Sequence, residues 1–365
     1  MDFGTEPGPR MGRVIRGRSP ATSISYHESG SHLFVASEED SVLRVVDCLR
    51  EADLAGGKPH WPNMIKMQNH GIRIVRSTHH GHCILFSPGT NADGVPSGRR
   101  TDVVYYHSVH DNKILREFGG HTGSINGICI SPVNDTFLSS SVDGTVRLWD
   151  CGKGGNSLAE LRLPPEFVDA TTLAAFDSTG LVFGITAAMP GGDGYVSLHV
   201  HLYDARNYTV GPFAEMKTTR QDIEAKIRIG GTSPERAYAL SRAEWTSMEF
   251  NESGKQILVG TVGGVALTLD GYEGTVHHSY QAETAVGHNT TGASSKALPM
   301  AACFTRDGLS VMCGNDDGTI SCYQADTGLL VRKIRGHPDR VGAIAANPKY
   351  KQFASACTNT AVWIW

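Results

Sequence analysis

The sequence predicts an all-β fold, a seven-bladed β-propeller built from four-stranded sheets. Three observations favour this fold class. A two-stranded hairpin pattern occurs seven times, a short apolar strand precedes each copy, and no helical pattern of useful length interrupts them. Repeats of about 40–45 residues with four strands each are typical of propellers, whose radial arrangement leaves only short sheet edges.

The clearest hairpin lies in residues 131–150, SPVNDTFLSSSVDGTVRLWD. The apolar run before the turn suits a pleated strand. Asp143 and Gly144 predict a tight turn, because glycine accepts the positive φ that such turns need. After the turn, Val146 and Leu148 alternate with polar residues, which indicates a strand with one apolar face. A single hairpin is only marginally stable in water, so this one requires neighbours.

Six further copies follow the same plan with different turn lengths. They occupy residues 31–47, 82–109, 180–204, 254–270, 308–324 and 351–365. Because the last copy ends after three strands, its outer strand has to come from elsewhere in the chain. Residues 12–17, GRVIRG, are the candidate, so the N-terminus is predicted to close the ring by pairing with the last blade. Residues 1–11 are predicted to be disordered and residues 12–365 to form one propeller.

Several segments between the predicted strands are longer than a turn requires. They are residues 50–62, 90–100, 151–157, 218–242 and 283–296. Long loops on a rigid scaffold are where partner contacts tend to lie. Neutral insertion on a tolerant surface is the alternative for each of them.

The composition argues against several classes of protein. The formal net charge of −4 gives no sign that the molecule as a whole binds nucleic acid. Eight cysteines without any Cys-x-x-Cys pair indicate buried free thiols in a reducing compartment. The N-terminus lacks the apolar run of a secretory signal, and no stretch of about 20 apolar residues predicts a membrane span.

Two repeats share polar residues at identical offsets from a Gly-His pair. This arrangement resembles the WD-repeat family, in which a loop histidine, a strand serine, a turn carboxylate and a strand tryptophan form a buried hydrogen-bonded set. The resemblance implies that these residues hold a blade together, and we interpret them as structural. They are His121, Ser139, Asp143 and Trp149 in the third repeat, and His337, Ser355, Asn359 and Trp365 in the seventh.

A narrower resemblance rests on particular stretches of sequence. They are residues 131–150, ACFTRDGLSVMCGNDDG at 302–318, and NPKYKQFASA at 347–356, together with DSTGLVFG and a later GPF at 211–213. These stretches resemble the small WD-repeat subunits shared by two nuclear assemblies. One is the COMPASS-type histone lysine methyltransferase complex, and the other is the mRNA cleavage and polyadenylation factor with its phosphatase module.

This narrower resemblance implies a nuclear, non-catalytic scaffold without a cofactor. Its partners would be protein subunits of a complex that methylates lysine four of histone three, of the machinery for mRNA 3′-end processing and transcription termination, or of both. A link to the phosphorylated tail of RNA polymerase II is also implied, without direct contact with nucleic acid or a membrane. Two alternatives stay open: a WD-repeat substrate adaptor of a ubiquitin ligase, and a propeller enzyme.

No catalytic, cofactor-binding or metal-binding residue is predicted. The sequence contains no His-Glu-x-x-His, no Gly-x-Ser-x-Gly and no phosphate-binding loop. The stretch 77–83, STHHGHC, could meet a metal, but we interpret it as a turn with solvated histidines. His199 with His201, and His277 with His278, lack a third ligand in the predicted register, so both pairs are interpreted as surface residues.

A candidate partner-binding rim surrounds one opening of the predicted propeller. Glu39 and Asp316 lie there in two acidic turns, next to Asp40 and Asp317, which occupy the position of the structural turn carboxylate. The rim is completed by Thr122, Ser124, Val142 and Thr358. We hypothesise that this rim binds a basic or arginine-bearing peptide, since clustered carboxylates attract such partners. A solvated acidic turn is the alternative.

A phosphorylated partner would instead require cationic side chains. The candidates are Arg44, Arg147, Arg332, Lys333 and Arg335. They are spread over blade sides and outer strands, so the sequence does not predict that they converge on one phosphate.

Overall fold

Short antiparallel strands build the whole ring of the molecule. The computed structural model describes residues 8–49, 63–67, 70–89, 99–162, 172–190, 196–282 and 299–365, with side chains except at 63, 187–190 and 196–197. Within these ranges, 28 strands form seven four-stranded sheets, which confirms the predicted seven-bladed β-propeller. Innermost strands of successive blades contact one another, and those of the first and last blades also meet. The ring is therefore closed.

The strands of each blade follow one another outward from the centre, except that β1 (Arg10–Ile15) belongs to the last blade. Blade 1 contains β2 (Ser23–Tyr26), β3 (His32–Ala36), β4 (Val42–Asp47) and β5 (Asn63–Lys66). Blade 2 contains β6 (Ile72–Ser77), β7 (Cys83–Pro88), β8 (Val103–Ser108) and β9 (Lys113–Gly119). Blade 3 contains β10 (Ile125–Ile130), β11 (Thr136–Ser141), β12 (Thr145–Asp150) and β13 (Ala159–Arg162).

The remaining blades repeat this order. Blade 4 contains β14 (Ala174–Phe176), β15 (Val182–Pro190), β16 (Val196–Asp204) and β17 (Ala214–Thr219), with a 3-10 turn at Tyr208–Val210. Blade 5 contains β18 (Trp245–Phe250), β19 (Gln256–Thr261), β20 (Val265–Asp270) and β21 (Val276–Gln281). Blade 6 contains β22 (Ala302–Phe304), β23 (Ser310–Gly314), β24 (Thr319–Gln324) and β25 (Leu330–Arg335), and blade 7 contains β26 (Ala343–Ala346), β27 (Gln352–Ala356) and β28 (Thr360–Ile364). Because strand direction alternates identically in every blade, all hairpins between second and third strands lie at one end.

The N-terminal strand closes the ring as predicted, two residues earlier in the chain than the expected 12–17. β1 pairs antiparallel with β28 from Arg10 opposite Ile364 to Ile15 opposite Thr360. The strand reaches back to Arg10 because β28 extends far enough to give that residue a partner. Residues 1–7 of the segment predicted to be disordered lie outside the described residues, and the division into a tail and one domain stays a prediction.

The predicted loop 218–242 contains two helices, so the expectation that no helix interrupts the strands is wrong here. The helix α1 (Arg220–Ile229) begins with a capping box, in which Thr219 and Asp222 each bond the other's backbone N–H through a side-chain oxygen. The helix α2 (Pro234–Ser241) begins after the capping residue Ser233, and its first position is proline. Local start signals were therefore present in the sequence.

Both helices cover the outer edge of blades 4 and 5. Ile223, Ile227 and Ala237 are buried in the apolar cluster between these blades. The side-chain amide of Gln281 in β21 also donates to the carbonyl of Ile227 at 3.2 Å. Ile223 and Ile227 are the buried residues of α1, and one pair at helical spacing is not enough to show a helical period. The sequence pattern therefore does not predict α1. No helix in the described part of the chain is long and apolar enough to cross a membrane.

The other long loops are described only in part. Residues 50–62, 90–98 and 283–296 lie outside the described residues. In 151–157, the N–H of Gly152 donates to the carboxylate of Asp150 at 2.8 Å, which begins a compact turn.

The core consists of apolar clusters between neighbouring blades. In one of them, Phe118 of blade 2 packs against Phe137 and Trp149 of blade 3, with ring centroids 4.9 Å and 5.6 Å apart. All eight cysteines are free thiols; six are buried, while Cys48 and Cys129 are half-buried. Within the described residues, each blade thus packs against its two neighbours in the closed ring.

Candidate functional site

The polar set of blade 3 comes together in the interior. His121 Nδ1 lies 3.0 Å from the carboxylate of Asp143, and His121 Nε2 lies 2.7 Å from the hydroxyl oxygen of Ser139. Trp149 Nε1 donates to the same hydroxyl oxygen at 2.8 Å. These contacts connect the loop before β10 to β11, the hairpin turn and β12. Each buried polar group therefore has a partner, as stability requires.

The electrostatics of this set favour a neutral histidine beside a charged carboxylate. Burial lowers the pKa of His121, although the Asp143 carboxylate opposes that shift. Burial alone would raise the pKa of Asp143, but hydrogen bonds from Thr145 and from the N–H of Thr122 outweigh it and lower that pKa to about 2. Thr122 N–H donates at 2.8 Å, and both the N–H and the hydroxyl of Thr145 donate to the other oxygen.

Blade 7 repeats the arrangement with a different tryptophan from the predicted Trp365. His337 Nε2 lies 2.6 Å from the hydroxyl oxygen of Ser355, and Trp363 Nε1 donates to that oxygen at 2.8 Å. Trp363 is 3% exposed, whereas Trp365 is 45% exposed. The assignment of Trp365 to the buried set is therefore wrong.

The strand register explains this error. Ser139 pairs with Arg147, eight residues later, whereas Ser355 pairs with Ala361, only six residues later. The hairpin of blade 7 is thus two residues shorter than that of blade 3. A constant offset from the histidine therefore points two residues beyond the buried indole of Trp363, to Trp365.

The residue that contacts His337 from the hairpin turn of blade 7 is Cys357, and not the predicted Asn359. His337 Nδ1 lies 3.2 Å from the sulfur of Cys357, where blade 3 has a carboxylate. Asn359, the predicted partner of His337, instead accepts from the N–H of Gly17 at 3.4 Å. A Cβ atom at Gly17 would lie 2.0 Å from the carbonyl oxygen of Thr358, so only glycine allows this approach. Asn359 therefore contacts the N-terminal segment that closes the ring.

The six rim residues lie at the same end of the propeller. Glu39, Asp316, Val142 and Thr358 lie in hairpins between second and third strands, and Thr122 and Ser124 precede the first strand of blade 3. The Val142 N–H donates to the Ser124 carbonyl at 3.0 Å.

The charges on the rim are less uniform than the sequence indicates. Glu39 is exposed, but Arg340 Nε donates to the carboxylate of Asp316 at 2.8 Å. Arg44 lies 2.5 Å from Asp40, so that turn carboxylate is also paired. Binding of a basic peptide here stays a prediction, and Glu39 is the rim acid through which it is best tested.

Three of the five cations considered for a phosphorylated partner have carboxylate partners. Arg44 pairs with Asp40, Arg147 lies 2.5 Å from Glu160, and Lys333 Nζ lies 3.3 Å from Asp317. These contacts fix the side chains within their own blades. The remaining candidates are Arg335, which is exposed, and Arg332, which is half-buried. The geometry therefore gives little support to a phosphate site formed by this set.

The histidine-rich turn connects blades instead of being wholly solvated. His79 Nδ1 lies 2.5 Å from the carboxylate of Glu28 in blade 1, and its Nε2 lies 2.9 Å from the carbonyl oxygen of Ser131 in blade 3. Burial lowers the pKa of His79, but the hydrogen bonds to Glu28 and Ser131, together with nearby carboxylate charges, outweigh it and the pKa is raised. His80 is half-buried and His82 exposed.

The interpretation of His199 and His201 as surface residues is wrong. Both are buried, at 4% and 5% exposure, and Glu215 of the neighbouring strand lies beside them. Nitrogen and oxygen atoms of the three residues lie within 4.8 Å of one another. The sequence could not show this, because Glu215 meets the histidines only through the pairing of β16 with β17.

Two charged side chains on innermost strands were also not identified from the sequence. Arg76 Nε donates to the carbonyl of Ile128 at 3.0 Å, and Glu249 accepts from the N–H of Phe304 at 3.4 Å. Burial raises the pKa of Glu249 to about 7, although solvent still reaches its side chain. Both contacts join first strands of neighbouring blades, so these charges line the centre of the ring.

Exposed apolar side chains concentrate at the end opposite the rim. They lie in turns after first or third strands, or at the end of β28, and we call them the apolar end: Leu49, Val133, Leu181, Val210, Phe213, Tyr272, Leu309, Leu329, Tyr350 and Trp365. Leu329 and Tyr272 are exposed by 66% and 69%. Concentrated apolar exposure is typical of protein-interaction surfaces. The sequence pattern does not predict this surface, because without the strand register an exposed apolar residue in a turn cannot be distinguished from one at the end of a strand.

Comparisons with known proteins extend over most of this chain. The family model described as "WD domain, G-beta repeat" matches residues 112–150 and 328–365. The chain is 31% identical to WD repeat-containing protein 82 of Drosophila melanogaster, over 94% of this chain and 89% of that protein. It is 26% identical to COMPASS component SWD2 of Saccharomyces cerevisiae, over 92% and 88%. It is 37% identical to human DDB1- and CUL4-associated factor 5, but over only 21% and 8%.

Proposed function

This chain belongs to the WD-repeat family, and we propose that it is a scaffold subunit of a nuclear complex that methylates lysine four of histone three. The observation that carries the proposal is the similarity, over nearly the whole ring, to a protein named as a COMPASS component. This similarity extends over 92% of the chain, far beyond the two segments that the WD-domain family model matches. We further propose that the chain does no chemistry itself, which fits a propeller whose relatives are named as subunits.

The architecture supports a scaffold because it offers two chemically different ends on one rigid ring. The rim has polar and acidic turns, whereas the apolar end exposes large side chains such as Leu309 and Leu329. An apolar surface with exposed anchors favours stable association with a protein partner. We propose that the apolar end binds a constitutive subunit and that the rim binds a basic peptide segment.

A second assignment is proposed on narrower grounds. The stretches 302–318 and 347–356 resemble the subunit shared with the mRNA cleavage and polyadenylation factor and its phosphatase module. We propose that the protein also joins that machinery and contributes to transcription termination. A link to the phosphorylated tail of RNA polymerase II would then run through a partner protein, since Arg44, Arg147 and Lys333 are paired with carboxylates.

The alternative is a substrate adaptor of a ubiquitin ligase. Its support is the similarity to a DDB1- and CUL4-associated factor, which is confined to 79 residues of the chain. A match of that length corresponds to about two repeats and reflects the blade pattern common to WD-repeat proteins. The full-length similarity to a COMPASS component is therefore the stronger argument.

Affinity purification of the tagged full-length protein from nuclear extract, followed by mass spectrometry, tests the proposal. We expect histone methyltransferase subunits to co-purify, with or without polyadenylation-factor and phosphatase subunits. Recovery of ubiquitin-ligase subunits without either set would refute the scaffold assignment and support the alternative. Imaging of a fluorescent fusion tests the nuclear location in the same cells.

Variants at the two ends locate the partner surfaces. Leu309→Glu combined with Leu329→Glu is expected to lower recovery of the main partner at least tenfold, and Ile229→Glu is the matched control because Ile229 is exposed on α1, away from that end. Glu39→Lys is expected to reduce binding of basic segments only, with Glu235→Lys on α2 as its control. If the control variants lose partners equally, neither end is the binding surface.

A further inference from the structure

Two strands of blade 4 bring three metal-binding side chains to one face. His199 and His201 are two residues apart on β16, so both point to the same side of the sheet. Tyr203, the next residue on that side, belongs to the apolar cluster shared with blade 3. Glu215 on β17 pairs directly with His201 in the register. The three residues therefore lie between blades 3 and 4, close to the outer edge.

The distances suit a shared ion after small side-chain rotations. His199 Nδ1 lies 2.6 Å from the nearer carboxylate oxygen of Glu215, and the donor atoms of all three residues lie within 4.8 Å of one another. The imidazole centroids are 6.2 Å apart and inclined by 28°. Zinc ligands at about 2.0–2.2 Å from the metal lie roughly 3.3 Å from one another in a tetrahedron.

One side of this cluster is buried, and the other side is exposed to solvent. His199 and His201 are almost fully buried, and His201 lies opposite the buried Ile185 of β15. The side chain of Glu215 is 51% exposed, so an ion can enter along the carboxylate. A water molecule can then take the fourth position of a tetrahedral site.

The charge and the donor atoms of the cluster are compatible with a cation. Glu215 supplies one negative charge. Lys217 lies opposite His199 in the register, but it is exposed and can extend into solvent. Two imidazoles and one carboxylate are donors that suit Zn²⁺.

We propose that His199, His201 and Glu215 form a Zn²⁺ site with a water molecule as the fourth ligand. The site would join β16 to β17, the outer strand that leads directly into α1 at Arg220. Its role would be to fix the edge of blade 4 and the start of the helical insertion. This inference is independent of the proposed function, because it concerns a ligand of the ring itself.

Zinc binding by the full-length protein tests this proposal. After treatment with a chelator and its removal, equilibrium dialysis against micromolar Zn²⁺ is followed by metal analysis of the protein. Titration with Co²⁺ reports the coordination geometry through its visible absorption. We expect one equivalent of metal, and at least a tenfold loss of affinity in both His201→Gln and Glu215→Gln.

The double variant His80→Gln with His82→Gln is the matched control. It removes two histidines of the turn at blade 2, whose rings lie 6.2 Å apart, and is expected to bind metal as the original protein does. Glu215→Gln changes a half-exposed side chain, so circular dichroism should show an intact fold. The proposal is overturned if no zinc binds, if the two blade 4 variants bind it undiminished, or if only the control variant loses it.

Discussion

Blades 3 and 7 contain the same polar set, yet they complete it by different means. In blade 3 the histidine meets the carboxylate of Asp143, which accepts further hydrogen bonds from the turn. In blade 7 the equivalent contact is with the sulfur of Cys357, a weak hydrogen-bonding group. Blade 7 instead receives its fourth strand from the N-terminus. A blade with an incomplete polar set can thus rely on ring closure for its stability.

Contacts across the closure join blade 7 and the N-terminal strand to blade 1. The guanidinium of Arg13 in β1 donates to the carbonyl of Asp47 in blade 1 at 2.7 Å. The side chain of Asn347 in blade 7 donates to the carbonyl of Gly30 at 2.8 Å. The bond between Asn347 and Gly30 joins residues that are 317 positions apart, and the bond from Arg13 joins β1, which belongs to the last blade, to the first blade. Both bonds therefore form only when the ring closes.

The largest expected effect distinguishes the two tryptophans of blade 7. Trp363→Ala is expected to lower the free energy of unfolding by about 3–5 kcal/mol, because it removes a buried indole and the bond to Ser355. Trp365→Ala is expected to cost about 0.5 kcal/mol, since that side chain is largely exposed. Urea unfolding of both variants measures the difference. Equal losses would mean that Trp365 also belongs to the buried set.

The features predictable from the sequence were those encoded locally and repeated. Seven hairpins, each with a preceding strand, were enough to give the ring, and the missing outer strand of the last repeat indicated that the N-terminus closes it. The sequence predicts the turn at Asp143 because a glycine follows it, and in the structure Gly144 has a φ of 77°, which favours glycine. Such signals depend on a few adjacent residues and do not require knowledge of tertiary contacts.

The features that were missed depend on strand register or on isolated residues. A constant offset points to Trp365 because it cannot detect that the shorter hairpin of blade 7 moves the buried tryptophan position two residues earlier along the strand, to Trp363. His199 and His201 meet Glu215 only across two paired strands. The helix α1 has too few apolar residues to show a period, although its capping residues were readable. Pairing between distant segments is therefore where the sequence alone was insufficient.

The pH dependence of stability provides an intermediate effect that is specific to blade 3. The folded pKa of Asp143 is about 2, below the ordinary value of 3.8. A carboxyl whose pKa is depressed on folding stabilises the protein above its unfolded pKa, and that stability is lost as pH falls through the folded pKa. The loss is expected to reach about 1 kcal/mol near pH 3 and about 2 kcal/mol near pH 2.

Urea unfolding of the original protein and of Asp143→Asn, over the range from about pH 5 to about pH 3, tests this dependence. The stability difference between the two proteins is expected to shrink as pH falls, because the variant has no carboxyl at that position. Asp135→Asn is a control from the same blade, whose side chain is exposed. A difference that stays constant with pH would show that folding does not shift the pKa of Asp143, and the contrast with blade 7 would then disappear.

The smallest expected effect concerns the sulfur that replaces the carboxylate. Cys357→Ala is expected to lower the free energy of unfolding by about 1 kcal/mol or less, since a thiol is a weak partner for His337 and the side chain is small. Asp143→Ala is the matched change in blade 3 and should cost clearly more, because it leaves the N–H groups of Thr122 and Thr145 without their acceptor. Both values come from the same urea titrations at neutral pH. A cost at Cys357 as large as that at Asp143 would mean that the sulfur contact, and not the N-terminal strand, secures blade 7.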